Sequence, residues 1–307
     1  MYRTFVIVRH TFREAVAQPI YSLLIGLGAA IIIIFGMLPF FTFGEDAVMF
    51  MSVGLDIILL LVLLATLFAT SKSIFDEIED RTMLTLMSKP VQRWEVLVGK
   101  YLGIILSALL AIALLGGVLC LATWMRIPGD YQLGRNRLDD RELQTILGIR
   151  LMHLSGLVVS LVQVWLQIST LAAIGVALST RFSLVVNLPV IIFLYIAGNL
   201  TRFLYPLIGD PVTGQRAALG ERSAIVRGFV ALMRAGLPYL EAFDLKSKTI
   251  YGKLAVAQFA SDPAATPVSH ILGYLGLSIV YGIAFVTFSL SVGMWLFQTR
   301  ELGGAEG

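Results

Sequence analysis

Cysteine occurs once in the 307 residues, at Cys120, and Asp, Glu, Lys and Arg together make up only 14% of the chain. A single cysteine cannot build a disulfide framework, so no stapled ectodomain is encoded. Inside an apolar run, Cys120 reads as a small buried hydrophobe. The three histidines, His10, His153 and His270, lie far apart and lack any paired metal-ligand spacing. A phosphate-cradling loop is also missing, since it would end in Gly-Lys-Ser/Thr with a second glycine upstream. Here Gly99-Lys100 is followed by Tyr101 and Gly252-Lys253 by Leu254, without that glycine. Nucleophile-elbow and zinc-protease patterns are absent too. The net charge is +3 and the cations are scattered among loops rather than gathered on one face, which excludes nucleic acid as a partner. No internal repeat or low-complexity tract is present.

What remains is oil. Hydrophobic residues make up 57% of the chain and the mean hydropathy is +0.85, whereas soluble domains carry about a quarter of their residues charged. The fold class expected is an all-α polytopic membrane protein. A span needs roughly 20 apolar residues to cross about 30 Å of hydrocarbon. Six segments qualify: 20–43, 48–71, 101–125, 151–179, 183–205 and 271–297. Before them, Tyr2, Phe5, Val6, Phe12 and Val16 alternate with Arg3, Arg9, Arg13 and Glu14, the pattern of a helix lying in the headgroup plane. No cleavage site precedes Pro19, so the first span is expected to act as the insertion signal.

Six spans put both termini on one side. Of the 23 Lys and Arg, ten fall with the termini and thirteen opposite, but loops beyond about 60 residues are discounted in such counts. Setting aside the eight in 202–253 leaves ten against five, which makes the termini cytoplasmic. Residues 126–150 and 206–270 then face outward, and 223–236 reads as a helix on the membrane surface.

Polar residues inside spans are the candidates for chemistry, because a mid-bilayer charge costs on the order of 3 kcal/mol unless paired or solvated. Asp56 is the one acid, placed to relay a proton, line a path or hydrogen-bond a neighbouring helix. Ser160, Gln163, Gln167 and Thr170 recur at helical spacing and form a stripe that must face protein or water, as inter-helix glue or as pathway. Asn199 and Arg202 read as interfacial anchors.

Between the second and third spans lies "EDRTMLTLMSKPVQRWEVLVGK", residues 79–100. Ile78, Leu84, Leu86 and Met87 make an apolar side between the acids Asp76, Glu77, Glu79 and Asp80 and the cations Arg81, Lys89 and Arg93. Pro90 is expected to stop one short helix and open another that carries Trp94, Val96 and Leu97 toward the third span. An anionic leaflet would repel the acidic cluster, so docking into a groove on a soluble partner explains the block better than lying on lipid.

Glu79, Thr82, Ser88, Pro90, Val91, Arg93, Gly99 and Lys100 follow a pattern that resembles the membrane subunit of ABC-2 type ABC transporters, and is similar to permeases associated with multicopper-enzyme maturation. Arg81 stands where many members have Gly. A weaker echo is "LPYLEAFDL", residues 237–245. The resemblance implies one domain over 1–307: an elbow helix (1–19), two spans (20–71), a cytoplasmic coupling loop with its coupling helix (72–100), three spans (101–205), an extracytoplasmic segment (206–270), and the sixth span with a cytoplasmic tail (271–307). It also implies a half-transporter that is not itself an enzyme and holds no cofactor. Its partners would be a soluble ABC ATPase carrying ATP and Mg, a second permease, identical or paralogous, and membrane lipid. Glu79, Arg81, Thr82, Ser88, Pro90, Arg93, Trp94, Gly99 and Lys100 would form the coupling surface, in a bacterial inner membrane. Copper enters through the resemblance alone, because the ten methionines do not converge with His or Cys. The alternatives are a permease-like subunit that transmits force to an extracytoplasmic partner, an ion-coupled carrier using Asp56, and a membrane-embedded transferase, which lacks convergent acid and base residues.

Overall fold

The computed structural model describes residues 2–38, 46–72, 92–130, 140–208, 238–250 and 268–298. They form helices α1 (Tyr2–Ala17), α2 (Pro19–Met37), α3 (Asp46–Ser71), α4 (Arg93–Asp130), α5 (Asp140–Ser179) and α6 (Leu184–Ile208). A 3-10 turn (Leu240–Phe243), the single turn α7 (Lys246–Thr249) and α8 (Val268–Gln298) follow, and no strand occurs among the described residues. Five helices are long and apolar enough to cross a membrane: Pro19–Met37, Ala47–Ser71, Arg93–Arg126, Leu147–Ser179 and Val268–Gln298. In α6 the described apolar stretch, Leu184–Asn199, is shorter.

Two boundaries differ from the sequence reading. Trp94, Val96 and Leu97 belong to the first turns of α4 itself rather than to a separate short helix, because no proline interrupts 91–127 once Pro90 is passed. Helix α5 begins at Asp140 rather than 151 and has 40 residues, about 60 Å at 1.5 Å per residue, which is twice the hydrocarbon thickness. The break between α1 and α2 is as the sequence dictates. Gln18 is extended, and Pro19, which has no N–H to lose, opens α2 at its first position.

Helices α3, α4 and α5 form the centre. Phe50, Met51, Leu55, Ile58 and Leu67 of α3 meet Ile112, Leu115 and Leu119 of α4 and Leu157, Ile168 and Leu171 of α5 in one buried cluster. Helices α2 and α8 are peripheral, and leave Leu23, Ile33 and Ile34, and Leu277, Val280 and Phe288, exposed on their outer faces. Such faces suit lipid tails.

Helix α1 lies on the start of α4 through a Gly-xxx-Gly seam. A Cβ at Gly99 would fall 2.9 Å from Ile7 Cγ2, and one at Gly103 would fall 2.7 Å from Thr11 Cβ and 2.8 Å from the Val8 carbonyl oxygen. Small residues here let two backbones approach closely. Thr11 and Ala15 are buried against that seam while Phe5 stays 63% exposed.

The two ends of the bundle are tied differently. At one end, called the distal end below, Arg126 Nη1 donates to the Phe35 and Gly36 carbonyls at 3.2 and 3.3 Å and Nη2 to the Leu38 carbonyl at 3.0 Å. That arginine satisfies carbonyls at the end of α2. At the other, terminal, end Asn187 of α6 is fully buried and its Nδ2 donates to Ser71 Oγ at 2.9 Å and to the Gly175 carbonyl at 3.1 Å. One amide thus joins α3, α5 and α6. Replacing Asn187 by Ala should cost about 1 kcal/mol, in the range of inter-helix hydrogen bonds in membranes, and lower the detergent Tm by about 2–4 °C.

Candidate functional site

At the distal end, Asp56 and Leu59 of α3, Ser160, Val164 and Gln167 of α5, and Tyr195 and Asn199 of α6 line a polar cavity of about 90 Å³. That is room for a few waters. Residues 243–246, part of a segment, 238–250, that enters the bundle as a wedge, line its remaining side.

The wedge enters because its sequence is apolar at the right places. Leu240, Phe243, Leu245 and Ile250 are each at most 3% exposed. One glycine makes room. A Cβ at Gly198 would lie 2.8 Å from Leu240 and 2.9 Å from the Pro238 carbonyl oxygen, while Gly282 stands at ordinary contact distance from the Phe243 ring. That ring packs on Tyr281 with centroids 5.7 Å apart and tilted by 44°.

Polar bonds then fix the register. The Tyr239 N–H donates to Tyr281 Oη at 2.8 Å, and Ser278 Oγ donates to the Ala242 carbonyl at 2.9 Å. Ser160 Oγ and Thr249 Oγ1 lie 2.7 Å apart. Lys246 Nζ pairs with Asp56 Oδ1 across 190 positions of sequence. The Asp56 side chain is nevertheless 60% exposed and that of Lys246 23%, so the pair lies on an outer face of the bundle rather than inside it.

The stripe on α5 is thereby resolved residue by residue. Ser160, Gln163, Gln167 and Thr170 are all buried, between 1 and 7% exposed. Ser160 reaches the wedge, and Gln163 Nε2 donates to Ser278 Oγ of α8 at 3.3 Å. Gln167 faces the cavity, and Thr170 bonds back to the Gln167 carbonyl of its own helix. Asn199, read as an interfacial anchor, lines the cavity instead, its Nδ2 bonded to the Tyr195 carbonyl at 2.8 Å. Arg202 has no described side chain.

At the terminal end, Arg93, Trp94, Gly99 and Lys100 fall within the described residues, while Glu79, Arg81, Thr82, Ser88 and Pro90 lie outside them. The acidic cluster 76–80 and the expected surface helix 223–236 also lie outside. Arg93 Nη1 donates to the Phe297 and Gln298 carbonyls at 3.0 and 3.2 Å, with its guanidinium 5.5 Å from the Phe297 ring centroid. It serves as a C-cap of α8. Gly99 is a packing position under α1, and Lys100, 3% exposed, is engaged within the protein. Trp94 is 47% exposed, with its indole N–H donating to Gln92 Oε1. Among the described residues no group of three or more His, Cys, Asp or Glu could hold a metal ion.

The wedge was missed by sequence reasoning. Its 237–245 stretch was visible only as an echo, and a Leu-x-x-Phe spacing after Pro238 is the signal that marks it as a buried turn.

No curated protein matches the chain. The model of a family described as "ABC-2 family transporter protein" matches residues 15–302, nearly the whole length. A helical bundle with five apolar helices of spanning length and a family match of that extent lead to one conclusion: the chain belongs to the ABC-2 transporter family, as a multi-pass membrane protein of the permease type.

Proposed function

We propose that the chain is one half of an ATP-driven exporter, with six spans, an N-terminal elbow helix and both termini in the cytoplasm of a bacterial inner membrane. The family match over 15–302 carries this reading. In it α6 is the fifth span and the terminal end of the bundle faces the cytoplasm. ATP and Mg are bound by a separate soluble ATPase, which docks on residues 72–100, and a second permease completes the path.

The Asp56–Lys246 pair supports the position of that path. Asp56 sits ten positions into α3, roughly 15 Å along the helix axis, so its exposed carboxylate lies at membrane depth. A charge there must face water or protein rather than lipid. The α3–α6 face that carries Asp56, Tyr195 and Asn199 is therefore proposed to line the cleft against the second permease, where an amphiphilic cargo would pass. An ion-coupled carrier gains nothing from this geometry, since the carboxylate is already paired. Force transmission to an outer partner is favoured by one observation, the anchoring of the wedge to α3, α5 and α8.

The test is a pull-down in mild detergent with ATPase activity assayed in the eluate, for wild type and for Glu79→Ala with Trp94→Ala. Wild type should bring down a soluble ATPase and the double variant should lose most of it while inserting normally. A wild-type chain that comes down without ATPase sinks the proposal.

A further inference from the structure

Helix α8 is fastened at both ends and runs along α5 between them. At the distal end Ser278 and Tyr281 grip the backbone of the wedge, and Gly282 contacts the Phe243 ring. At the terminal end Arg93, the first residue of α4, holds the Phe297 and Gln298 carbonyls, and Arg181 Nε from the α5–α6 turn reaches the Leu296 carbonyl at 3.3 Å. Between these grips its buried face carries Ser278, Gly282, Ser289 and Gly293, and little of the helix is buried. Gly293 sits on Ala177, where a Cβ would fall 2.8 Å from the Ala177 Cα. Val286, Leu290 and Met294 pack beside this close backbone approach, so α8 lies against the bundle as one continuous element.

We propose that α8 is the connecting rod of the permease and that Arg93 is the positioning residue that couples it to the ATPase. The inference rests on the exporter reading. Arg93 stands at the exit of the coupling loop, so a push on that loop displaces the start of α4. The guanidinium passes this displacement to the end of α8. As a 31-residue helix α8 is about 46 Å long and moves as a unit, so the shift reaches the wedge at its other end. Movement of Ser278 and Tyr281 then draws residues 239–243 away from the cavity, and the Asp56–Lys246 pair yields. One arginine thus links nucleotide state to a polar cavity at the opposite end of the bundle.

The experiment uses the full complex in nanodiscs. Spin labels go on Val185→Cys and Trp295→Cys in a Cys120→Ser background, both positions being well exposed at 78% and 64%. Pulsed EPR distances are taken without nucleotide and after vanadate trapping with ATP. The labelled parent should show a trapped-state shift of several ångströms. For Arg93→Ala the distance is read only in complexes that retain ATPase and trapped nucleotide, and per trapped complex most of the shift should be lost. Arg93→Lys keeps the charge without the planar fork, and should show a reduced shift even if the alanine variant folds poorly. A full shift in either variant overturns the inference, as does a parent complex that traps nucleotide with α8 unmoved. If no ATPase accompanies the parent chain, it is the exporter reading that fails.

Discussion

Gly103→Val is expected to detach α1 from the bundle. The Cβ would sit 2.7 Å from Thr11 Cβ and 2.8 Å from the Val8 carbonyl oxygen, and the second of these is backbone that cannot rotate aside. Either α1 moves as a whole or the seam opens, and overpacking of this kind costs about 3 kcal/mol at the upper end of its usual range. The control lies on the same helix. A Cβ at Gly117 meets nothing within 4 Å, so Gly117→Val changes helix propensity alone and should be neutral or slightly stabilising. Detergent melting should separate the two variants by several degrees. A thiol at Ala15→Cys, buried at 2% exposure in the parent, should become reactive only in the Gly103→Val background. If Ala15→Cys stays protected there, the seam does not hold α1 in place.

That seam shows where sequence reasoning stopped. Gly99 and Lys100 were legible as part of a motif, and the motif suggested a surface offered to a partner. Gly103, four residues on, completes a Gly-xxx-Gly pair whose meaning depends on which helix comes to rest there. Helical periodicity says that Ser160, Gln163 and Gln167 share a face but not what meets it, because Thr249 and Ser278 lie 89 and 115 positions away. Five helices of spanning length followed from composition, since a run of about 20 apolar residues has few other fates. Span ends did not, because α4 and α5 continue as helix through polar residues such as Arg93 and Asp140 that hydropathy assigns to loops. The wedge was hidden for a different reason. The 13-residue segment 238–250 fits against α6 because Gly198 meets Leu240 and Pro238 there, a meeting that no spacing in the sequence announces.

The wedge gives the second large expectation, for Phe243→Ala. Phe243 is 3% exposed, and its ring is wedged between Tyr281 and Gly282 of α8 with Leu166 of α5 nearby. Truncation removes the contacts of the ring and leaves a void, a change that costs about 3 kcal/mol in packed interiors. The loss falls on a short segment that enters the bundle with few turns of its own, so local opening is expected to absorb it before global unfolding does. Three kcal/mol corresponds to roughly a 100-fold rise in the open population. Ser160→Cys, introduced with Cys120→Ser, reports that opening directly, since residue 160 lies behind α7 and is 3% exposed. A small charged thiol reagent should label it on the order of 100-fold faster with Phe243→Ala than without. Phe182→Ala, at an aromatic already 44% exposed, should leave the rate unchanged. Equal labelling with and without Phe243 would mean that the cavity is reached by another route, and that the ion pair between Asp56 and Lys246, rather than the aromatic ring, decides when it is closed.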